Sequence, residues 1–284
     1  MKRFPFFLFL GFFAHATMAQ ISCTPENMQR LQRQISHHAS VDYSAMPIGE
    51  VMVEVGKGLL GTPYVAQTLE IDAAEPLVIN LTGLDCTTFL ENAVVFSRLL
   101  KLGNLTEQSF QTELEALRYR DGVRDGYGSR LHYFTEWMLD NEEKGVIRQI
   151  SEELGGSPWQ RPINFMTTHA NLYPFLQGAE MMASLSEAEA RLSTTKFSYL
   201  PKAQLASLEG GIQNGDLIAI TTTVNGLDIA HVGFAIWVNG RVHLFHASSS
   251  LKKVVISDVP LADYLAGNKS QSGVMVCRLA SLDQ

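Results

Sequence analysis

Gly83-Leu84-Asp85-Cys86-Thr87-Thr88-Phe89-Leu90 is the stretch on which the fold turns. From Cys86 to Leu100 the apolar residues Phe89, Leu90, Ala93, Val94 and Leu99 recur at helical spacing, with Gly83 and Asp85 before them and Gly103 after. The spacing predicts a helix with Cys86 at its N-terminus. Unpaired N–H groups and the helix dipole favour a thiolate there, so the expectation is a thiol pKa below the ordinary value and a nucleophilic Cys86.

Downstream, Leu105 to Leu117, Ser129 to Glu143 and Asn171 to Leu192 also read as helices, the second started by Ser129 and stopped near Gly145. After Gly215 the pattern changes to β-prone runs, Asp216 to Thr222, His231 to Val238 and Arg241 to Ala247, separated by Asn225-Gly226 and Asn239-Gly240 turns. A two-residue Asn239-Gly240 loop pairs Val238 with Arg241, Trp237 with Val242, Ala235 with Leu244 and Gly233 with His246. That register puts His231 and His246 on one face as diagonal neighbours, with Gly233 leaving room for the second ring, and turns His243 to the other face.

The chain begins with Lys2 and Arg3, an apolar run from Phe4 to Phe13, and small residues at Ala14, Ala16 and Ala19, the layout of a secretory signal peptide over residues 1–19. Residues Gln20-Ile21-Ser22 ahead of Cys23 lack the features of a lipidation site, so cleavage after Ala19 is preferred to anchoring through Cys23. No later segment looks membrane-spanning, and no stable membrane insertion is expected. Losing Lys2 and Arg3 takes the formal charge from −7 to −9, which argues against nucleic acid as a partner. Three cysteines remain, an odd count, and a Cys23–Cys277 disulfide with Cys86 kept for chemistry is the expected arrangement.

Asp85-Cys86, His231-Val232-Gly233, His246-Ala247-Ser248 and Gly61-Thr62-Pro63-Tyr64 together resemble the NlpC/P60 superfamily of cell-wall cysteine amidases and peptidases. The chain departs from the minimal pattern in having Thr87-Thr88 after the cysteine and a long stretch between Cys86 and His231. That stretch, with Leu117-Arg118-Tyr119-Arg120-Asp121-Gly122, Ser129-Arg130-Leu131-His132-Tyr133 and Trp137, is similar to the DUF1460 branch, described as N-acetylmuramoyl-L-alanine amidases. The resemblance implies an α+β, papain-like fold: a nucleophile helix packed on an antiparallel sheet, in a single domain over 20–284 with a helix-rich insertion at about 101–200. It implies a periplasmic location, peptidoglycan fragments as partners and no cofactor. No pattern specifies an oligomeric state.

The implied catalytic residues are Cys86 as nucleophile, His231 as base and His246 as its orienting partner, with the Tyr64 hydroxyl assisting at the oxyanion. Arg118, Arg120, Arg124 and Arg130 cluster in an acidic chain and are expected to include anchors for substrate carboxylates. Ser129, His132 and Tyr133 complete the expected substrate-binding set, and with Trp137 the two rings form a candidate sugar platform. Each residue also has a plainer reading: Cys86 as a small core residue, the histidines as satisfied sheet residues, the arginines as solvated ion pairs and the aromatics as packing. A zinc site of Cys86, His231 and His246 lacks the close ligand pairs that nucleate one. An endopeptidase cutting between D-glutamate and the diamino acid would use the same three residues, and a non-catalytic wall-binding protein would use none of them.

Overall fold

The computed structural model describes residues 21–282, so the candidate signal peptide lies outside the described residues. In chain order the first half contains β1 (Ile21–Ser22), α1 (Pro25–His38), α2 (Ile48–Leu59), β2 (Leu77–Val78), α3 (Cys86–Lys101) and α4 (Glu107–Arg118). Next come α5 (Phe134–Glu143), β3 (Ile147–Gln149), β4 (Ser157–Trp159), α6 (Phe165–Thr168), α7 (Ala179–Thr194), β5 (Phe197–Pro201) and α8 (Leu205–Leu208). The last part is β6 (Leu217–Thr222), β7 (Ile229–Val238), β8 (Arg241–Ser248), β9 (Lys253–Ile256), α9 (Leu261–Ala266) and β10 (Gln271–Leu279).

Among the described residues, eight strands form one antiparallel sheet in the order β4-β5-β10-β6-β7-β8-β9, with β3 also paired to β10. Side chains alternate between its faces. Phe234 and Phe245 lie on one face and pack around Phe89 of α3, at ring separations of 5.5 and 5.6 Å. Ala235, Val242 and Leu244 point the other way, into a second core with Leu261 and Leu265 of α9. Gly56 of α2 lets that helix settle on the sheet, because a Cβ there would stand 2.6 Å from the Phe234 ring.

The hairpin follows its turn chemistry. Asn239 and Gly240 take φ of 50° and 78°, as a primed turn requires, and Val238–Arg241, Trp237–Val242 and Ala235–Leu244 pair as expected. The β7–β8 ladder ends at Phe234–Phe245, one step before Gly233. Gly233 still faces His246, since a Cβ on it would lie 2.9 Å from the His246 Cβ.

Two local expectations are corrected. Ser129 does not start a helix: it closes a 3-10 turn over Tyr127–Ser129, and α5 begins at Phe134. Its first-turn donor is satisfied from far away, by the Asp228 carboxylate, which accepts from both the Thr135 N–H and hydroxyl at 2.8 Å. The segment from 171 is α-helical only from Ala179, after a 3-10 turn over Ala170–Leu172 and Gly178 at φ 91°. Within the helix-rich insertion, β3, β4 and β5 also join the main sheet.

The expected Cys23–Cys277 disulfide is absent. All three cysteines are free; Cys277 is buried in β10 between β6 and β3, whereas Cys23 sits at the foot of α1, where β1 is tied to β2. No helix among the described residues is long and apolar enough to cross a membrane.

Candidate active site

Cys86 is the first residue of α3, and the turn before it is fastened from several directions. The Asn27 side chain of α1 accepts the N–H groups of Leu81 and Thr82, and the Asn80 side chain accepts those of Thr82 and Gly83. Asp85 and Thr88 then form a capping box, each side chain taking the other's backbone N–H at 2.8 and 3.0 Å. Such a cap contributes about 1 kcal/mol and, more to the point, fixes where the thiol emerges.

The thiol lines a cleft of about 350 Å³ together with His231 and Val232 of β7. His231 lies just past the end of the β7–β8 ladder, where the strands part, and the Val232 N–H reaches the Cys86 sulfur. His231 Nε2 and His246 Nδ1 are 2.6 Å apart with their rings nearly perpendicular, which satisfies the shared-face expectation. With the proton on His231 Nε2 donated to His246, the His231 Nδ1 carries a lone pair. His243 is on the other face, bonded to the Ser257 carbonyl.

Electrostatics reverse one expectation. Burial, followed by the neighbouring Asp85 carboxylate, pushes the Cys86 thiol up to about 11, outweighing the hydrogen bonds from Val232 and Thr87 that pull it down. Burial holds His231 down to about 4, and burial with the neighbouring His231 holds His246 down to about 3. Burial thus favours neutral thiol and neutral imidazole over thiolate and imidazolium.

Tyr64 is outside the cleft lining but near enough to Cys86 and Asp85 to feel them, and a strap holds it there: Leu84 N–H donates to the Pro63 carbonyl, Val65 N–H to Leu84 and Tyr64 N–H to Lys252. Burial first, then Cys86 and Asp85, raise its phenol to about 12, keeping it a protonated donor. Tyr264 of α9 lies edge-on to His246 at 5.5 Å, and burial, followed by the nearby Cys86, raises its phenol. Nothing in its sequence surroundings marked it.

The expected substrate-binding residues divide. Arg130, His132 and Tyr133 line the cleft, in an extended wall that leads into α5. His132 donates from Nε2 to the Tyr127 carbonyl at 2.8 Å, and burial beside Arg130 lowers it to about 3. The Tyr133 hydroxyl donates to Glu189 at 2.7 Å and accepts the Met166 N–H. Arg118, Arg120 and Ser129 lie outside the cleft lining. Arg118 is ion-paired to Glu91 at 2.8 Å inside the core, Arg120 to Glu136 at 3.0 Å, and the Ser129 hydroxyl closes its own turn on Gly126. Trp137 is buried against Phe134, so the sugar platform is not formed with it. Three cleft carboxylates, Glu70, Asp85 and Asp228, complete the charge pattern. Asp228 stands three residues before His231, yet a lone carboxylate ahead of a strand carries no pattern.

Comparison with known proteins follows this geometry. A crystal structure of an N-acetylmuramoyl-L-alanine amidase from Bacteroides uniformis is 39% identical, with 82% of this chain and 99% of that chain covered and a TM-score of 0.78. A Bacteroides fragilis protein provisionally named a xylanase is 38% identical over 80% of this chain and 99% of that one, with a TM-score of 0.76. A Legionella pneumophila protein of the DUF1460 family, 21% identical over 90% of this chain and 97% of that one, shares the fold at a TM-score of 0.66. No curated protein matches. The mixed α/β architecture, with helices on an antiparallel sheet, is thus that of amidase structures. The AmiA-like family model, described as N-acetylmuramoyl-L-alanine amidase-like, matches residues 54–274, and the chain belongs to that family.

Proposed function

We propose that this protein is a cell-wall amidase that hydrolyses the amide joining the lactyl group of N-acetylmuramic acid to L-alanine in peptidoglycan fragments, through a cysteine acyl-enzyme. The observation that carries the reading is one cleft containing a helix-terminal cysteine beside an imidazole that a second imidazole orients. The order of these residues is the one the NlpC/P60 resemblance implies, and the family supports a hydrolase acting outside the cytoplasm on wall material.

In this mechanism His231 Nδ1 accepts the Cys86 proton as the sulfur attacks the lactyl carbonyl. The Cys86 N–H and the Tyr64 hydroxyl stabilise the oxyanion. The C–N bond breaks as His231 returns the proton to the amine of L-alanine, leaving a thioester on Cys86. His231 then takes a proton from water, which attacks the thioester; collapse releases the muramic carboxylate and restores the thiol. Because the resting pair is neutral, proton transfer belongs to the attack rather than preceding it. His132 and Tyr133 line the same cleft and contribute to the wall that receives the substrate.

The name borne by the B. fragilis protein suggests glycoside hydrolysis, which needs two available carboxyl groups. Here Asp85 is bound in its capping box, Asp228 accepts from Thr135, and Glu70 is paired with Arg130. Incubating mature protein and its Cys86→Ala variant with disaccharide muropeptides, then reading product masses, tests the proposal. Free disaccharide plus a peptide starting with L-alanine, absent with the variant, supports it; a cut within the peptide assigns the endopeptidase reaction; undiminished turnover by the variant refutes the cysteine mechanism.

A further inference from the structure

Two of the four arginines that resemble substrate anchors in sequence, Arg124 and Arg130, converge instead on a piece of the cleft wall. Residues 65–76 contain turns but no helix or strand, and Gln67, Leu69 and Glu70 from this segment line the cleft. One end is fixed where the Val65 N–H donates to Leu84, the other where β2 begins at Leu77. Between them the polar ties run to Tyr119, Arg124 and Arg130. Arg130 bridges two carboxylates of the segment, pairing through Nη2 with Glu70 and through Nε with Glu75 at 3.3 Å. Glu75 also accepts from the Tyr119 hydroxyl at 3.1 Å, and its carbonyl accepts from Arg124 at 2.8 Å.

Two details show that this segment is held and not merely resting. Gln67 and Glu75 take φ of 58° and 51°, the left-handed region that side-chain-bearing residues occupy only when their surroundings impose it. The Arg130 side chain is only 6% exposed and lies over the Tyr127 ring at 4.8 Å, so its guanidinium is stacked as well as paired.

We propose that Arg130 is a positioning residue, a clasp that fixes segment 65–76 against the cleft so that Gln67, Leu69 and Glu70 meet substrate in a defined place; this rests on the reading of the cleft as the active site. An arginine whose charge is matched by two carboxylates, one buried and one partly exposed, offers little to a third carboxylate from substrate. The clasp therefore sets substrate affinity through the loop and not by direct contact.

Glu70→Gln is the deciding variant because direct anchoring and clasping predict opposite signs. If Arg130 held a substrate carboxylate, removing its competitor would lower KM. If it clasps the loop, Glu70→Gln and Arg130→Gln both raise KM about tenfold or more with a smaller change in kcat, and Arg130→Lys, which keeps the charge without the fork, falls between. Limited proteolysis of ligand-free protein reads the loop directly: new cleavage within 65–76 is expected in both Gln variants. A lowered KM for Glu70→Gln, or a loop as resistant as in the wild type, overturns the clasp. Should Arg130→Gln fail to fold, Glu70→Gln still decides, because that side chain sits on the loop and is partly exposed. If wild-type protein does not cleave muropeptides, the functional reading fails, while proteolysis still tests the clasp.

Discussion

Alkylation of Cys86 should follow the chemistry of a protonated, half-buried thiol. Desolvation, followed by the Asp85 charge, pushes its pKa up to about 11 from an ordinary 9.0, outweighing the hydrogen bonds from Val232 and Thr87. Two units reduce the thiolate fraction at pH 7 about a hundredfold, to roughly one molecule in ten thousand. Iodoacetamide, with peptide mapping by mass spectrometry to separate Cys86 from Cys23 and Cys277, measures this directly. The Cys86 rate is expected to climb about tenfold per pH unit from pH 6 to beyond pH 10. Buried Cys277 stays unmodified throughout. A Cys86 rate that has already levelled off below pH 7 would reveal a preformed thiolate–imidazolium pair and refute the neutral resting state, together with the account in which burial defeats the helix terminus.

Replacing Tyr64 by Phe removes one oxyanion donor without removing the ring, and kcat should fall about a hundredfold with KM little changed; equal kcat would take Tyr64 out of the mechanism. Arg118→Ala strands Glu91 in the core and should cost about 3–5 kcal/mol in urea unfolding while leaving kcat/KM per folded molecule unchanged. A raised KM at undiminished stability would instead return Arg118 to substrate binding. His132 has a folded-state pKa of about 3 against 6.5 unfolded, so its stabilising share is complete above pH 6.5 and drains away as the pH falls toward 3. Wild-type stability should accordingly drop relative to His132→Gln by up to about 1.4 kcal/mol per pH unit below 6.5, and parallel pH–stability curves would contradict this.

The elements that sequence made legible are those whose determinants are local. The Cys86 helix is set by a 3.6-residue apolar period and by Asp85 and Thr88 three positions apart, which meet across one turn whatever surrounds them. The Asn239-Gly240 turn likewise fixes the hairpin register, and two-residue alternation then puts His231 beside His246. By contrast, α5 was misplaced because its N-terminal donors are satisfied by Asp228, 93 residues away in sequence. The short strands of the insertion were missed because three residues carry too little alternation to be seen; the open edges of β5 and β10 recruit them.

Sequence by itself thus determined which groups can do chemistry and which of them share a turn, a helix end or a sheet face, because those relations follow from bond geometry and short-range hydrogen bonding. Tertiary structure alone decided their charge states and partners. Burial raised the Cys86 thiol against the pull of its helix terminus, and packing enclosed Arg118 with Glu91 and Arg130 with Glu70 and Glu75, so that both arginines have internal carboxylate partners. Desolvation and ion pairing depend on what long-range folding brings within a few ångströms, and residue spacing along the chain does not encode it.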